Sequence, residues 1–330
     1  MSKTGWIAIL PLSVSILVSP AARSTFSAER PGKLIPVRIG IVSRSTLDMP
    51  YLVARDRGLF REEFLEAEII LVRSSLTVQA MLAGSIDFGT ATGTAVNAIV
   101  NGVDVRVVLA MSDKPSFDLI AHPSITSVQQ LRGKKFGVGG IGGLSDTLVR
   151  QILLANQVPP DQVTVLPLGA SSLTYTSLKA GVIDAAMLQI PHTFLAQDEG
   201  FRKLASGADY YRVVQGGLTT TKTTASERPE LVTKAIRATL RAVRLIKNEK
   251  KYALEFMKGP YLELGKEGER FTERAYDAAV QGYLLSGVVD EKLQREMITA
   301  AAQRIKPQQP VTPERVFDFS FARKAGEALR

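Results

Sequence analysis

The residues of this chain that could do chemistry are few, and most of them suit recognition better than reaction. Gly137-Val138-Gly139-Gly140-Ile141-Gly142 has the G-x-G-x-x-G spacing, with which a strand–turn–helix brings backbone N–H groups against a pyrophosphate. A dinucleotide site of that kind also needs an acidic residue at the end of the following strand, to hold the ribose. The corresponding stretch here, Leu166-Pro167-Leu168-Gly169-Ala170, has none. The glycines are therefore read as a turn that lets backbone approach a ligand closely. Two histidines, His122 and His192, and no cysteine exclude thiolate nucleophiles, disulfides, iron–sulfur clusters and Cys–His zinc sets. Neither a G-x-S-x-G elbow nor an H-E-x-x-H pair occurs. His192 follows Pro191 just beyond an apolar strand, where it either lines a cleft or sits at the surface; His122 is read as structural. No metal and no cofactor are implied.

The elements that position these residues alternate between strand and helix. Apolar strands are predicted at 37–42, 69–72, 86–90, 105–110 and 183–188, and helices at 49–58, 77–83 and 95–101. Repeated βα units with apolar strands predict an α/β fold, a mostly parallel sheet with helices on both faces. A second pattern is laid over the first. Ser74-Ser75-Leu76-Thr77 returns as Ser171-Ser172-Leu173-Thr174, and Ala83-Gly84-Ser85-Ile86-Asp87 as Ala180-Gly181-Val182-Ile183-Asp184. The offset is 97 residues throughout, and eight of the fourteen positions from Ser74 to Asp87 are identical to their partners. The same offset pairs Gly40 with Gly137, Leu71 with Leu168, and Asp48 with Ser145. One long spacing predicts two related lobes rather than a solenoid. Further on, Lys234, Arg237, Arg241, Arg244 and Asn248 share one face of a helix, and Val232, Ile236, Leu240 and Val243 lie on another. That face is either a docking surface for an acidic partner or, more ordinarily, a solvated face over a buried stripe. Helices at 271–285, 290–304 and 313–328 follow and carry no chemistry of their own.

Composition limits what such a molecule can be. The 330 residues are 45% hydrophobic and 22% charged, with 41 Lys+Arg against 32 Asp+Glu, a net +9. Mean hydropathy of +0.07 is too low for a multi-span membrane protein. The cations are scattered rather than clustered, which disfavours nucleic acid as a partner. Lys3, the apolar run 6–18 and Ser19-Pro20-Ala21 read as a cleavable export signal over residues 1–21. No cysteine follows for lipid attachment, so the mature chain is expected to be soluble and periplasmic.

Five stretches follow one another from about Val37 to Lys247: Pro50-Tyr51-Leu52-Val53-Ala54-Arg55-Asp56-Arg57-Gly58-Leu59-Phe60, then Met81-Leu82-Ala83-Gly84-Ser85-Ile86-Asp87-Phe88-Gly89. Leu131-Arg132-Gly133-Lys134-Lys135-Phe136-Gly137-Val138, Leu178-Lys179-Ala180-Gly181-Val182-Ile183-Asp184-Ala185 and Pro229-Glu230-Leu231-Val232 continue the series. In order and spacing this series resembles the periplasmic solute-binding proteins of ABC importers for nitrate, sulfonates, taurine and the thiamine pyrimidine precursor. The resemblance implies the two-lobed periplasmic-binding-protein fold, which closes on a small molecule and hands it to ABC permease subunits. The crossovers are expected near 119–122 and 217–221, giving one lobe from 34–120 and 218–330 and a second from 121–217. A monomeric, non-enzymatic binding protein is the expected outcome. Alternatives are a menaquinone-pathway dehydratase on the same fold, with Asp146 or His192 as acid or base, and a solute-sensing domain. Yeast thiamine-pyrimidine synthase, an enzyme of this fold, uses a cysteine-rich segment that this chain lacks.

Ligands of open α/β sheets bind at the carboxyl ends of the strands. The candidates from the first lobe are therefore Ser43, Arg44, Ser45, Thr46, Ser74, Ser75, Thr92 and Gly93. From the second lobe they are Gly142, Ser145, Asp146, Ser171, Gln189 and His192, with Thr219 near a crossover. Asp48 and Asp146 fall at or just ahead of the first turns of the two equivalent helices, where they would repel an anion. A neutral or zwitterionic solute is expected, with an amino or amide group near Asp146.

Overall fold

The computed structural model describes residues 33–260 and 269–329; the expected export signal at 1–21 lies outside them. The first sheet is built from β1 (Ile35–Ile41), β2 (Leu65–Leu71), β3 (Phe88–Gly89) and β4 (Val105–Ser112). Their connections contain α1 (Met49–Asp56), α2 (Leu59–Glu62), α3 (Thr77–Leu82) and α4 (Thr92–Val100). The chain then crosses to β5 (Phe117–Ala121), β6 (Lys135–Val138), α5 (Leu144–Ala155), β7 (Thr164–Pro167) and α6 (Ser171–Lys179). β8 (Ala185–Gln189), α7 (His192–Asp198), β9 (Arg202–Ser206) and α8 (Gly207–Tyr210) complete this second unit. It returns through β10 (Gln215–Thr221) to the helices α9 (Lys222–Glu227), α10 (Pro229–Asn248), α11 (Lys250–Lys258) and α12 (Thr272–Gly282). α13 (Glu291–Ile305), α14 (Pro313–Val316) and α15 (Ser320–Glu327) end the described chain.

Two five-stranded sheets result, ordered β2-β1-β3-β10-β4 and β7-β6-β8-β5-β9. In each, four strands run the same way and one runs against them: β10 in the first, β5 in the second. Inner strands such as β10 are buried nearly throughout, as strands covered on both faces must be. The edge strand β2 alternates between sides and leaves Leu71 exposed.

The 97-residue echo is repeated in hydrogen bonds. Ile39 faces Phe88 and Gly40 faces Gly89; 97 residues on, Phe136 faces Ala185 and Gly137 faces Ala186. Asp87 Oδ2 accepts from the backbone N–H of Arg38, and Asp184 Oδ2 from that of Lys135, both at 2.8 Å. Gly84 and Gly181 turn the chain with φ of +67° and +68°, a conformation that favours glycine. The echo slips at the edge strands. Ile41 faces Leu71, but Val138 faces Pro167, so the counterpart of Leu71 is Pro167 and not Leu168.

The crossovers lie a few residues earlier than expected. β5 pairs entirely with β8 and β9, and β10 entirely with β3 and β4. Residues 113–116 and 211–214 therefore make the two passages, and divisions at 120/121 and 217/218 would cut both strands. An apolar strand looks alike in either sheet, so sequence pattern alone misplaces the boundary. The passages are laced together: Val213 N donates to Asp113 O (3.2 Å), Arg212 Nη2 to Asp113 Oδ2 (2.8 Å), and Ser116 N to Gln215 Oε1 (2.7 Å).

The C-terminal helices cover the first sheet. α10 buries Val232, Ile236, Leu240 and Val243 against α1, α2 and α15, as its pattern predicts. Its basic stripe is neither bare nor free to dock. Arg237 pairs with Glu63, Arg241 with Glu62, Arg244 donates to the Leu329 carbonyl, and the Lys234 ammonium lies 5.5 Å from the Phe64 ring centre. The helix expected at 313–328 is broken in two, because Phe317 runs extended, Phe317 and Phe319 are both buried, and Asp318 N donates to Val107 O at 2.9 Å.

Candidate functional site

The carboxyl ends of β1, β2, β6, β7 and β8 carry most of the candidate residues, on loops that lead into helix N-termini. After β1 the chain makes a polar turn. Ser43 Oγ donates to Ser45 Oγ (2.9 Å), and Ser43 N donates to Asp48 Oδ2 (3.1 Å). Tyr283, from the loop after α12, donates its hydroxyl to Thr46 O. Arg44 is exposed, while Ser43, Ser45 and Thr46 are half-buried. Asp48 is 1% exposed, and its Oδ1 has no hydrogen-bond partner. Burial raises its pKa to about 6, opposed by the Thr90 hydroxyl and by hydrogen bonds from Ser43. No solvent reaches this oxygen, so Asp48 braces the turn from behind instead of meeting a ligand.

The second lobe builds the same brace differently. Gly139 N donates to Ser145 Oγ at 3.0 Å, the counterpart of the bracing role of Asp48. Asp146 Oδ2 accepts from Gly142 N at 2.8 Å and its Oδ1 from Arg150 Nε at 2.9 Å. Each oxygen already accepts one hydrogen bond, and the residue is 3% exposed. An amino or amide group beside Asp146 would meet a carboxylate that Arg150 already neutralises. The sequence placed the acid correctly at the first turn, but the i, i+4 arginine that neutralises it decides the electrostatics.

The remaining candidates divide by accessibility. Ser74 shares a 2.9 Å hydrogen bond with Thr94, and Ser74, Ser75, Gly93 and Gly142 are exposed. Ser171 Oγ accepts from Gln189 N (2.9 Å), and the Gln189 side chain donates to Ser116 Oγ (3.2 Å) in the first passage. These groups bring α6, β8 and a passage together. Thr92 is buried, with its hydroxyl on Val214 O at 3.0 Å, so it supports a passage and does not line a cleft. Thr219 is fully buried inside the first sheet and donates to Gly89 O at 2.9 Å. It is removed from the lining set, because in β10 its side chain meets β3 and not solvent.

His192 is half-buried on the first turn of α7, with its ring 5.7 Å from that of Tyr175. Its Nδ1 is buried without a partner, and burial lowers its pKa, which keeps the ring neutral at pH 7. Sequence reasoning missed Ser116, Thr94 and Tyr283. The first is a polar residue in a passage whose position was misjudged, and Tyr283 arrives from 237 residues away, a contact no local pattern announces. Among the described residues no group of three or more acidic or histidine side chains is placed to hold a metal ion. A shallow depression along α13, walled by Glu291, Lys292, Arg295 and Glu296, involves none of the candidates.

Solved structures share this architecture. The alkanesulfonate-binding protein SsuA of Xanthomonas axonopodis pv. citri, bound to MOPS, is 18% identical, with a TM-score of 0.67 over 86% of this chain and 98% of its own. The periplasmic nitrate-binding protein NrtA of Synechocystis PCC 6803 is 12% identical, with a TM-score of 0.70 over 90% of each chain. The desulfurization enzyme DszB is 14% identical, with a TM-score of 0.61 over 89% of this chain and 99% of its own. The fold is thus the two-lobed periplasmic-binding-protein fold, and it serves both binding proteins and an enzyme. In sequence, the riboflavin-binding protein RibY of Chloroflexus aurantiacus is 25% identical over 208 residues, which are 59% of this chain and 57% of RibY. The NMT1/THI5-like family model matches residues 46–253, most of both lobes, and the chain belongs to that family.

Proposed function

We propose that this chain is an exported binding protein that closes its two lobes on a small organic solute, neutral or zwitterionic, and delivers it to an ABC import permease. The observation that carries the ligand class is the internal neutralisation of the site. Asp146 is paired with Arg150, Asp48 is sealed, and His192 is held neutral by burial. What remains for a solute is a set of hydroxyls, an amide and backbone groups from Ser43, Ser45, Thr46, Ser75, Ser171 and Gln189, with the exposed Arg44 on the same turn suited to the carboxylate of a zwitterion. Such a surface orients a ligand through uncharged hydrogen bonds. The sparse reactive groups support binding over catalysis. Among the described residues no helix is long and apolar enough to cross a membrane. The export signal predicted at 1–21 supports a periplasmic site of action, and the family supports the hand-over to a permease.

A thermal-shift panel of nitrate, alkanesulfonates, taurine, amides, ureas, pyrimidines and riboflavin tests the ligand class. A ligand at a hundred times its Kd stabilises the folded state by about 2.7 kcal/mol, a readily measured rise in unfolding midpoint. A saturable rise is expected with a neutral or zwitterionic compound, reduced by Ser171→Ala and Gln189→Ala. Saturable binding of nitrate or an alkanesulfonate, with no response to any neutral or zwitterionic member, overturns the reading. Osmotic shock tests export: release of a chain shorter by about 21 residues is expected, and a full-length cytoplasmic product contradicts it.

A further inference from the structure

Arg304 occupies the last turn of α13, which packs on α4 of the first lobe. Its guanidinium forks. Nη2 donates to Asn97 Oδ1 of α4 at 2.8 Å, and Nη1 donates to Gly142 O in the β6–α5 loop of the second lobe at 2.7 Å. Gly142 is thereby held from both sides: its N–H by Asp146 of its own lobe, its carbonyl by Arg304 of the other. Its φ of +75° aims that carbonyl, and it lies in the glycine-rich turn singled out from sequence. Beside this contact, Leu144 and Tyr211 each pack against the apolar cores of both lobes.

The other end of the same helix is anchored where the lobes join. Asp290, which caps the N-terminus of α13 by accepting from Leu293 N (2.8 Å), also accepts from Arg212 at 2.9 Å. Arg212 in turn holds Asp113, so one guanidinium links α13 to both passages. Fifteen residues of helix span about 22 Å. α13 is thus a rigid strut running from the hinge to the second lobe. Rotation of that lobe about residues 113–116 and 211–214 leaves the Arg212 end in place and must break the Arg304 end.

We propose that Arg304 is a closure latch, a positioning residue that fastens the Gly142 loop to the first lobe in the closed form and biases the solute-free protein towards closure. The inference rests on the two-lobed clamp proposed above and concerns a step that precedes any solute. A guanidinium is suited to this because its planar fork aims two nitrogens at two acceptors in fixed directions, whereas an ammonium offers one nitrogen on a flexible stem.

The test needs no solute, so it stands apart from the identity of the ligand. The chain has no cysteine, and Glu68→Cys with Asp161→Cys places one spin label on an exposed site of each lobe. Pulsed electron resonance then reads the distribution of distances between them. Arg304→Met is expected to raise the ratio of long to short distances about 3- to 10-fold, the scale of a charge-assisted hydrogen bond at a surface. Asn97→Ala is expected to give a smaller shift in the same sense, and Arg304→Lys to recover part of the effect. An unchanged or shortened distribution in Arg304→Met overturns the latch. So does a lowered unfolding midpoint with an unchanged distribution, which marks a merely structural arginine. If Arg304→Met does not fold, Asn97→Ala alone decides, by the same shift or its absence. A panel in which no solute binds would sink the proposed ligand class and leave this outcome unaffected.

Discussion

Asp48 shows how one residue can hold a cleft-side turn in shape without touching what the cleft binds. It receives two hydrogen bonds from Ser43, leaves Oδ1 without a partner, and has its pKa raised to about 6 by burial. A carboxyl whose folded pKa exceeds its unfolded value of about 3.8 favours folding in its protonated form. Its contribution is therefore complete below about pH 4 and is lost as pH rises through 6. Asp48→Asn can keep an acceptor towards Ser43 and place its NH2 at the vacant side, near Thr90. Relative to the parent, this variant is expected to gain about 2–3 kcal/mol of stability between pH 4 and pH 7, on the order of two pKa units. Urea unfolding at both pH values measures it, and a difference that does not change with pH refutes the assignment. At this scale the sequence was informative about where polar groups fall and silent about what satisfies them. Asp146 stands at the helix start as its position predicts, but Arg150 neutralises it. Thr92 and Thr219 stand at strand ends yet spend their hydroxyls on buried carbonyls. Facing direction and partner choice are tertiary facts, and they decide whether a strand-end residue lines a site.

Elements were legible wherever the hydrophobic period was long or repeated. The α10 stripe, the βα alternation and the 97-residue echo all correspond to observed structure. The basic face of α10 was not, because its cations meet α2, an element distant in sequence. Arg237 and Glu63 form a two-point ion pair with both heavy-atom distances at 2.9 Å, and both side chains are largely withdrawn from solvent. Arg237→Ala is expected to cost about 1–2 kcal/mol in chemical unfolding, more than an exposed ion pair of median strength. The exposed Lys251→Ala should stay within about 0.5 kcal/mol; equal effects would show that the stripe is merely solvated. Gly217 sets a sharper limit on β10. Its φ is +122°, a Cβ there would lie 1.9 Å from Leu109 O, and Tyr51 donates to its carbonyl at 2.8 Å. Gly217→Ala forces the backbone of a central strand apart and is expected to abolish cooperative unfolding, whereas Gly93→Ala, with open space around its Cβ, should not. The sequence contained this glycine but not the approach of β4 that demands it.

At the scale of the whole molecule, the two sheets are alike in order but unlike in how the chain supplies them. All five strands of the second sheet lie between Phe117 and Ser206, in one uninterrupted stretch. The first sheet takes four strands before that stretch and β10 after it, and β10 stands between β3 and β4. The second lobe is therefore an insertion in the first, entered and left through two adjacent passages, an arrangement that domain insertions favour. Its apolar cores are nearly self-contained. Leu119, Phe136, Leu148, Ile152 and Met187 form one cluster, while Tyr175, Leu178, Leu188 and Leu195 form another that borrows only Phe271 from outside. A fragment of residues 116–211 thus keeps every strand pairing of its sheet and is long enough to bury a core of its own. Residues 34–116 keep β1 to β4 but lose β10, which leaves β4 with no neighbour in the sheet, and lose α10, whose apolar face covers α1 and α2. The first fragment is expected to unfold cooperatively on heating and to give dispersed amide signals, at lower stability than the full chain because Phe271 is missing. The second is expected to do neither. Cooperative folding of 34–116 alone, or an unstructured 116–211, would mean that long-range contacts across the cleft, and not sheet membership, define the folding units, and the hinge at 113–116 and 211–214 would have to be sought elsewhere.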